Sequence, residues 1–170
     1  MIKQFVPQEA CLNCRRCCRF SDSGSVWLPC LLDEEIENFA DRPGIPAVSI
    51  SADKRIVPVA NPAGDGFLCP FLNTGDNKCR IYEDRLFECR LYPFLINLRD
   101  KKVILTVDLN CPYVRDNIQS ADFKRYSEEL AVFLNSPEQL KTLKENPQLL
   151  QAYEEVAEVV ELDLPQDEVK

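Results

Sequence analysis

Histidine is absent from the 170-residue sequence, and methionine and tryptophan occur once each. The lack of histidine excludes a mixed cysteine–histidine zinc site and histidine-based acid–base catalysis. No serine nucleophile motif and no glycine-rich phosphate loop is recognisable either. Any catalysis would therefore depend on a bound metal or on carboxylates such as Glu83, Asp84 and Glu88. The simpler interpretation of these carboxylates is that they cap helices and pair with arginines.

Long apolar runs are also missing. No stretch approaches the roughly eighteen apolar residues of a membrane helix, and residues 1–7 lack the apolar core of a secretory signal. We therefore expect a soluble, cytoplasmic protein with no membrane partner. The length and the 45% hydrophobic composition predict a single domain over residues 1–170. Within it we expect a cysteine-rich metal-binding part (1–115) and a C-terminal helical part (116–164).

The formal net charge is −8, and most of it lies in residues 136–170, which carry nine acids against three lysines. An acidic protein gains nothing from a phosphate backbone, so nucleic acid is not an expected partner. Residues 1–20 carry four basic residues against one acid. Two interpretations of this basic segment stay open: it offsets the negative charge of a thiolate metal site, or it is a solvated loop.

Cysteine, by contrast, is abundant. Four of the nine cysteines, Cys11, Cys14, Cys17 and Cys18, fall within eight residues. A two-residue gap lets both sulfurs reach one metal or cluster, so two such gaps in series offer three thiolates to the same place. The adjacent Cys17 and Cys18 project in different directions and could serve two irons of one cluster or two separate metals. In a reducing cytosol, an odd number of clustered cysteines indicates metal or redox chemistry rather than disulfides.

A second group of cysteines, Cys69, Cys79 and Cys89, recurs at ten-residue spacing. Residues 83–88 could form one helical turn that holds Cys79 and Cys89 at its two ends. Cys30 has no cysteine neighbour within ten residues, and we interpret it as a small buried apolar residue.

Apolar periodicity predicts an α+β fold: a cysteine-rich loop and small β-hairpin half with short helices, covered by a C-terminal set of about three α-helices. The predicted hairpin pairs residues 91–98 with residues 102–108 around a polar turn. A short strand is expected at most at 56–59. Helices are predicted over 33–41, over 120–135, from Ser136 and from Asn146.

The order of the cysteine motifs resembles the CxxCxxCC, or YkgJ-like, cysteine-cluster family over about residues 11–112. The matching words are Cys11-x2-Cys14-x2-Cys17-Cys18, Cys69-Pro, Cys79-x-Ile-Tyr-Glu-Asp-Arg, Cys89-Arg-Leu-Tyr-Pro and the late Cys111-Pro. Members are described as zinc- or iron-chelating and are often labelled iron–sulfur proteins. The resemblance implies eight metal ligands, with Cys30 as an extra cysteine: Cys11, Cys14, Cys17, Cys18, Cys69, Cys79, Cys89 and Cys111.

Three departures from the family pattern affect local geometry more than membership. Many members have three residues before the double cysteine, where this chain has two. Leu86 stands where a proline usually follows the arginine, and Tyr113 stands where a glycine often follows the final Cys-Pro.

Thiolate-only ligation suits both zinc and iron–sulfur clusters. We favour an iron–sulfur cluster of the [4Fe–4S] type, because Cys11, Cys14 and Cys17 repeat the ligand spacing of ferredoxin-type runs. A remote Cys-Pro, at Cys69 or Cys111, could supply the fourth ligand, and the arginines suit an anionic cluster. Eight ligands would fill two four-cysteine sites or one site with spare thiols.

Three functions stay open. The favoured one is an iron–sulfur protein that transfers electrons or serves in an accessory role, which implies a protein redox or accessory partner. The first alternative is a structural zinc module whose metal only folds the loops. The second is a metal-dependent enzyme with one open coordination position.

Overall fold

The computed structural model describes residue 2 and residues 4–14, 16–39 and 49–164. The chain divides into two compact units. The cysteine unit is Gln8–Cys89, and the sheet unit combines Met1–Pro7 with Arg90–Lys170. Helices and small antiparallel sheets are both present, which confirms the α+β class. The single-domain organisation, with its parts at 1–115 and 116–164, stays a prediction.

The cysteine unit consists of short elements joined by turns. In chain order they are α1 (Gln8–Cys14), β1 (Arg19–Phe20), α2 (Asp33–Phe39), β2 (Val59–Ala60), β3 (Phe67–Leu68), β4 (Leu72–Asn73) and β5 (Lys78–Cys79), and α3 (Phe87–Leu91) begins at its end. The strands pair antiparallel in the orders β1-β3-β2 and β4-β5. Each is only two residues long, so packing must supply most of the stability. Phe20, Leu31, Ile56, Phe71 and Leu86 form part of that core.

The helix predicted over 33–41 is confirmed as α2, and residues 40 and 41 lie outside the described residues. Glu35 fixes its start, because its Oε2 accepts the N–H of Leu32 at 3.0 Å. The other oxygen, Oε1, accepts the N–H of Phe87 at 2.6 Å, which places the start of α3.

The helical turn predicted over 83–88 is wrong, because α3 begins at Phe87 and contains Cys89. The short strand expected at 56–59 begins only at Val59.

Gly66 allows β3 to lie close to β1. Its φ of +84° is in the left-handed region, and a Cβ built there would lie 2.6 Å from the carbonyl oxygen of Phe20. The carbonyl of Gly66 accepts the N–H of Asn61 at 3.0 Å, which closes the loop between β2 and β3. Only glycine satisfies both the backbone conformation and the close approach.

The sheet unit is built on β6 (Phe94–Arg99), β7 (Lys102–Asp108) and β8 (Val156–Glu161), antiparallel in that order. The predicted hairpin is confirmed as β6 and β7, although its first strand begins at Phe94 rather than at residue 91, because Leu91 ends α3. Its helices are α4 (Pro112–Asn117), α5 (Ala121–Leu134) and α6 (Pro137–Glu145), followed by a 3-10 turn at Pro147–Leu149. None of the described helices combines the length and apolar character that a membrane span requires.

The predicted starts of two C-terminal helices are confirmed. The hydroxyl oxygen of Ser120 accepts the N–H of Phe123 at 3.0 Å, and that of Ser136 accepts the N–H of Gln139 at 3.4 Å. The helix predicted from Asn146 is wrong, because residues 156–161 form β8 and pair with β7. This segment is rich in valine, which favours strands, and its pairing partner is distant in sequence.

An aromatic cluster packs the sheet unit around Phe94, which is fully buried. The rings of Phe5, Phe123 and Tyr126 lie 6.1, 5.6 and 5.3 Å from the ring of Phe94, measured between centroids. Burial raises the pKa of the Tyr126 hydroxyl to about 12, and the charge of Glu129 adds to the effect. The cluster therefore favours the neutral phenol.

Ionisation of Tyr126 should lower the stability of the sheet unit as pH rises through the alkaline range. Its pKa is about 10 in an unfolded chain and about 12 in the fold, so its contribution is complete below pH 10 and is lost as pH rises towards 12. We expect the free energy of unfolding to fall more steeply over this range in the wild type than in Tyr126→Phe. Urea unfolding followed by circular dichroism at several pH values measures both slopes. Equal slopes would contradict the prediction.

Gly66→Ala should destabilise the cysteine unit. A residue with a Cβ in the left-handed region costs about 1–2 kcal/mol, and the clash with Phe20 adds to this. Gly64→Ala is the matched control in the same loop, because the nearest atom to its Cβ would lie at 3.8 Å. Thermal unfolding of both variants tests the prediction, and a Gly66→Ala protein as stable as Gly64→Ala would disprove it.

Candidate metal centre

Five cysteines are contributed by four segments of the cysteine unit. Cys17 and Cys18 precede β1, Cys69 follows β3, Cys79 ends β5 and Cys89 lies in α3. The pairing of β1 with β3 aligns two of these segments, because the N–H of Cys69 donates to the carbonyl oxygen of Cys18 at 3.0 Å. The fold thus brings the end of the first cysteine motif to the second group.

The sulfur atoms of this five-cysteine group differ in exposure. Cys17 is exposed, and its Sγ lies 4.0 Å from the Sγ of Cys18. Cys69, whose N–H donates to the carbonyl oxygen of Cys18, is buried. Cys79 and Cys89 are half-buried and pack, like Cys18, against the apolar core of the unit. The group therefore extends from the surface into the core.

The pKa values of Cys17, Cys18, Cys79 and Cys89 are all raised, and neighbouring thiols contribute to each rise. A hydrogen bond with Cys17 lowers the pKa of Cys18, but a second with Cys69, together with burial and neighbouring thiolate charge, raises it to about 12. Burial, followed by the charges of Cys18 and other neighbours, raises the pKa of Cys89 well above its usual range. Burial also raises the pKa of Cys79. Burial and neighbouring thiols thus favour the protonated forms of Cys18, Cys79 and Cys89, so a cation that binds them must displace protons.

Arg85 places a positive charge beside these thiols. Its Nε donates to the carbonyl oxygen of Tyr82 at 2.8 Å, and its Cζ lies 3.8 Å from the centroid of the Tyr82 ring. The guanidinium opposes the rise in the pKa of Cys17 and of Cys79. The sequence did not reveal this role, although the i, i+3 spacing within Ile-Tyr-Glu-Asp-Arg was a usable signal.

Cys11 and Cys14 lie on α1 and are half-buried. Burial raises the pKa of Tyr82, the charge of Arg85 opposes the rise, and the charge of Cys11 adds to it. A hydrogen bond from Nδ2 of Asn77 to the carbonyl oxygen of Leu12, at 2.6 Å, joins α1 to the turn that precedes Cys79.

Cys30 is fully buried, as predicted. Its N–H donates to Oε2 of Glu88 at 2.6 Å. Burial raises the pKa of the Cys30 thiol to about 12, and the charge of Glu88 contributes, whereas the charge of Arg55 opposes the rise. The charged neighbours that act on the Cys30 thiol include Glu88, Asp53 and Arg55.

Cys111 belongs to the sheet unit, where it is buried and precedes the first residue of α4. Its N–H donates to the carbonyl oxygen of Asp108 at 3.3 Å. Of the eight ligands implied by the family resemblance, seven thus belong to the cysteine unit and one to the sheet unit. The eight-ligand set as a whole stays a prediction.

The donor set fits a thiophilic metal. It consists of sulfur atoms with a guanidinium nearby, and this suits Zn²⁺ and iron. Within the described part of the chain, no three cysteine or acidic side chains are already placed around a single point where they could hold one ion. Binding therefore requires the thiol groups to turn towards the metal as they lose their protons.

Residues 10–112, more than half of the chain, match the family model CxxCxxCC, described as "Putative zinc- or iron-chelating domain". The matched range agrees with the motifs identified above and supports metal binding. Neither a curated protein nor a solved structure matches the chain. The cysteine order, the five gathered thiols and the family match agree, and the chain belongs to the CxxCxxCC family.

Proposed function

We propose that this protein binds an iron–sulfur cluster of the [4Fe–4S] type through thiolates of the cysteine unit. The cluster would serve in electron transfer or in an accessory role towards a protein partner. The observation that carries the proposal is the five-cysteine group: the pairing of β1 with β3 brings Cys18 to Cys69, and Cys18, Cys79 and Cys89 pack against one apolar core. Family membership supports binding of zinc or iron, and the choice of iron–sulfur is our own.

Several features of the chain favour a cluster over a single zinc ion. Seven of the eight cysteines in the cysteine unit are ligands implied by the family resemblance, which is more than one tetrahedral zinc ion requires. Cys18, Cys79 and Cys89 pack against apolar side chains, and limited solvent access is one of the protein's means of tuning a cluster. Such a cluster would supply one-electron transfer. The exposed Cys17 would place one edge of the group within reach of a partner.

Arg85 has a defined part in this proposal. Four thiolates on a cluster core of charge 2+ leave a net charge near −2, which a nearby guanidinium would help to offset. The contacts with Tyr82 hold Arg85 in place, and its charge acts on Cys17 and Cys79. The same electrostatic argument holds for a zinc–tetrathiolate site.

A structural zinc site is the second candidate. Its support is the extreme shortness of the strands in the cysteine unit, each of two residues. Segments with so little regular structure gain most from a metal that links them together.

Metal analysis after anaerobic purification of the full chain separates the two candidates. We expect iron and acid-labile sulfide in matching amounts, and broad visible absorption that bleaches on reduction with dithionite, because thiolate-bound clusters absorb in their oxidised form and accept an electron. Zinc in the same sample is measured as the control. A colourless protein with stoichiometric zinc, prepared without oxygen, would overturn the cluster and support the structural site.

Single substitutions test which thiols hold the metal. Cys18→Ala and Cys89→Ala should lose most of the bound metal, because each removes a thiol from the five-cysteine group. Cys30→Ala is the control: it removes a fully buried thiol outside the five-cysteine group, and it should keep its metal while losing about 1 kcal/mol of stability. Metal content per chain is the measurement. Equal metal loss in all three variants would contradict the assignment.

A further inference from the structure

The turn between β4 and β5 contains Asn77, whose backbone has a φ of +59°. Asparagine tolerates this left-handed conformation better than most residues, and the turn alone would account for its presence. The side chain does more than the turn requires. It leaves the turn and forms hydrogen bonds with two segments that are distant in sequence.

The amide of Asn77 donates and accepts at the same time. Its Nδ2 donates to the carbonyl oxygen of Leu12 in α1 at 2.6 Å. Its Oδ1 accepts a hydrogen bond from Nη2 of Arg19 in β1 at 3.0 Å. A single side chain therefore connects α1, β1 and the β4–β5 turn.

Each connected segment carries cysteines that the family resemblance implies as ligands. Leu12 lies between Cys11 and Cys14, Arg19 follows Cys18 directly, and Asn77 itself lies two residues before Cys79. The amide of Asn77 thus contacts α1 through the backbone of Leu12 and β1 through the side chain of Arg19. Both hydrogen bonds form without any cysteine sulfur.

The position of α1 depends on such polar contacts. The helix has only seven residues, and none of them is buried, so apolar packing holds it weakly. An isolated helix of this length is unstable in water. A hydrogen bond from another segment to its backbone therefore contributes a large share of what keeps it in place.

We propose that Asn77 is a positioning residue of the metal centre: it holds α1, and with it Cys11 and Cys14, in register with the segments that carry Cys18 and Cys79. The proposal rests on the proposed metal-binding function and deepens it. Asn77 acts on the site through Leu12 and Arg19 and binds no metal itself.

The test compares Asn77→Gly with Asn73→Gly. Glycine keeps the left-handed conformation at 77 but removes both long-range hydrogen bonds. Asn73 is the matched control, because its Oδ1 accepts only a local bond within the same turn, from the N–H of Gly75 at 3.1 Å. Asn77→Asp is a third variant, which can still accept from Arg19 but cannot donate to Leu12.

Alkylation by iodoacetamide, resolved by residue with mass spectrometry, is measured on metal-free full chains. Cys11 and Cys14 should react about tenfold faster in Asn77→Gly and Asn77→Asp than in the wild type or Asn73→Gly, because loss of one hydrogen bond raises the open population of α1 by that order. The buried Cys69 should react equally slowly in all four proteins. If Asn77→Gly unfolds the protein and Cys69 reacts quickly, the alkylation rates of Cys11 and Cys14 in Asn77→Asp decide the role of Asn77. Equal rates at Cys11 and Cys14 in the Asn77 and Asn73 variants would overturn the proposal.

The same four proteins, purified without oxygen, are then analysed for iron, sulfide and visible absorption. Asn77→Gly should hold less iron per chain than Asn73→Gly and show a changed spectrum, a readout that a change in the turn alone would not produce. A wild-type protein without iron would overturn the iron–sulfur function, while the alkylation rates would still decide the role of Asn77. Full iron content with an unchanged spectrum in Asn77→Gly would refute the positioning role.

Discussion

The pairing of β1 with β3 is the contact on which the candidate metal centre depends. It is two residues long, and it joins Arg19 to Leu68 and Phe20 to Phe67 in register. The next hydrogen bond, from the N–H of Cys69 to the carbonyl oxygen of Cys18, extends this pairing to the cysteines themselves. A shift by one residue would turn alternate side chains to the other face and separate the two thiols. The tight approach at Gly66 is therefore a condition for the site as well as for the sheet.

Electrostatics and packing act in opposite directions at this centre. The apolar core draws the cysteines together, whereas burial and mutual charge oppose their ionisation and raise the pKa of Cys18, Cys79 and Cys89. A cation bound by these cysteines would stabilise the thiolates that the protein alone disfavours. Metal binding at this site would therefore also stabilise the fold of the cysteine unit.

Local signals in the sequence predicted local structure well. The serine caps of α5 and α6, the β6–β7 hairpin and α2 follow from neighbouring residues, and the cysteine order identified the family. Long-range partners escaped prediction. The local pattern of residues 156–161 predicts a helix, and only pairing with β7 makes this segment a strand. Similarly, no local pattern links Asn77 to Leu12, which is 65 positions away in sequence. Cysteine spacing likewise does not reveal that Cys111 belongs to a different unit from the other eight.

The sheet unit is discontinuous in sequence, because it takes Met1–Pro7 from one end of the chain and Arg90–Lys170 from the other. The ring of Phe5 packs against Phe94, so both ends of the intervening segment are tethered within one folded body. The cysteine unit is thus a closed insertion rather than a free chain. When it unfolds, it gains less conformational entropy than an untethered segment of equal length would, since its ends stay close together. The sheet unit, which contributes no cysteine to the five-cysteine group, therefore lowers the entropic cost of folding the cysteine unit.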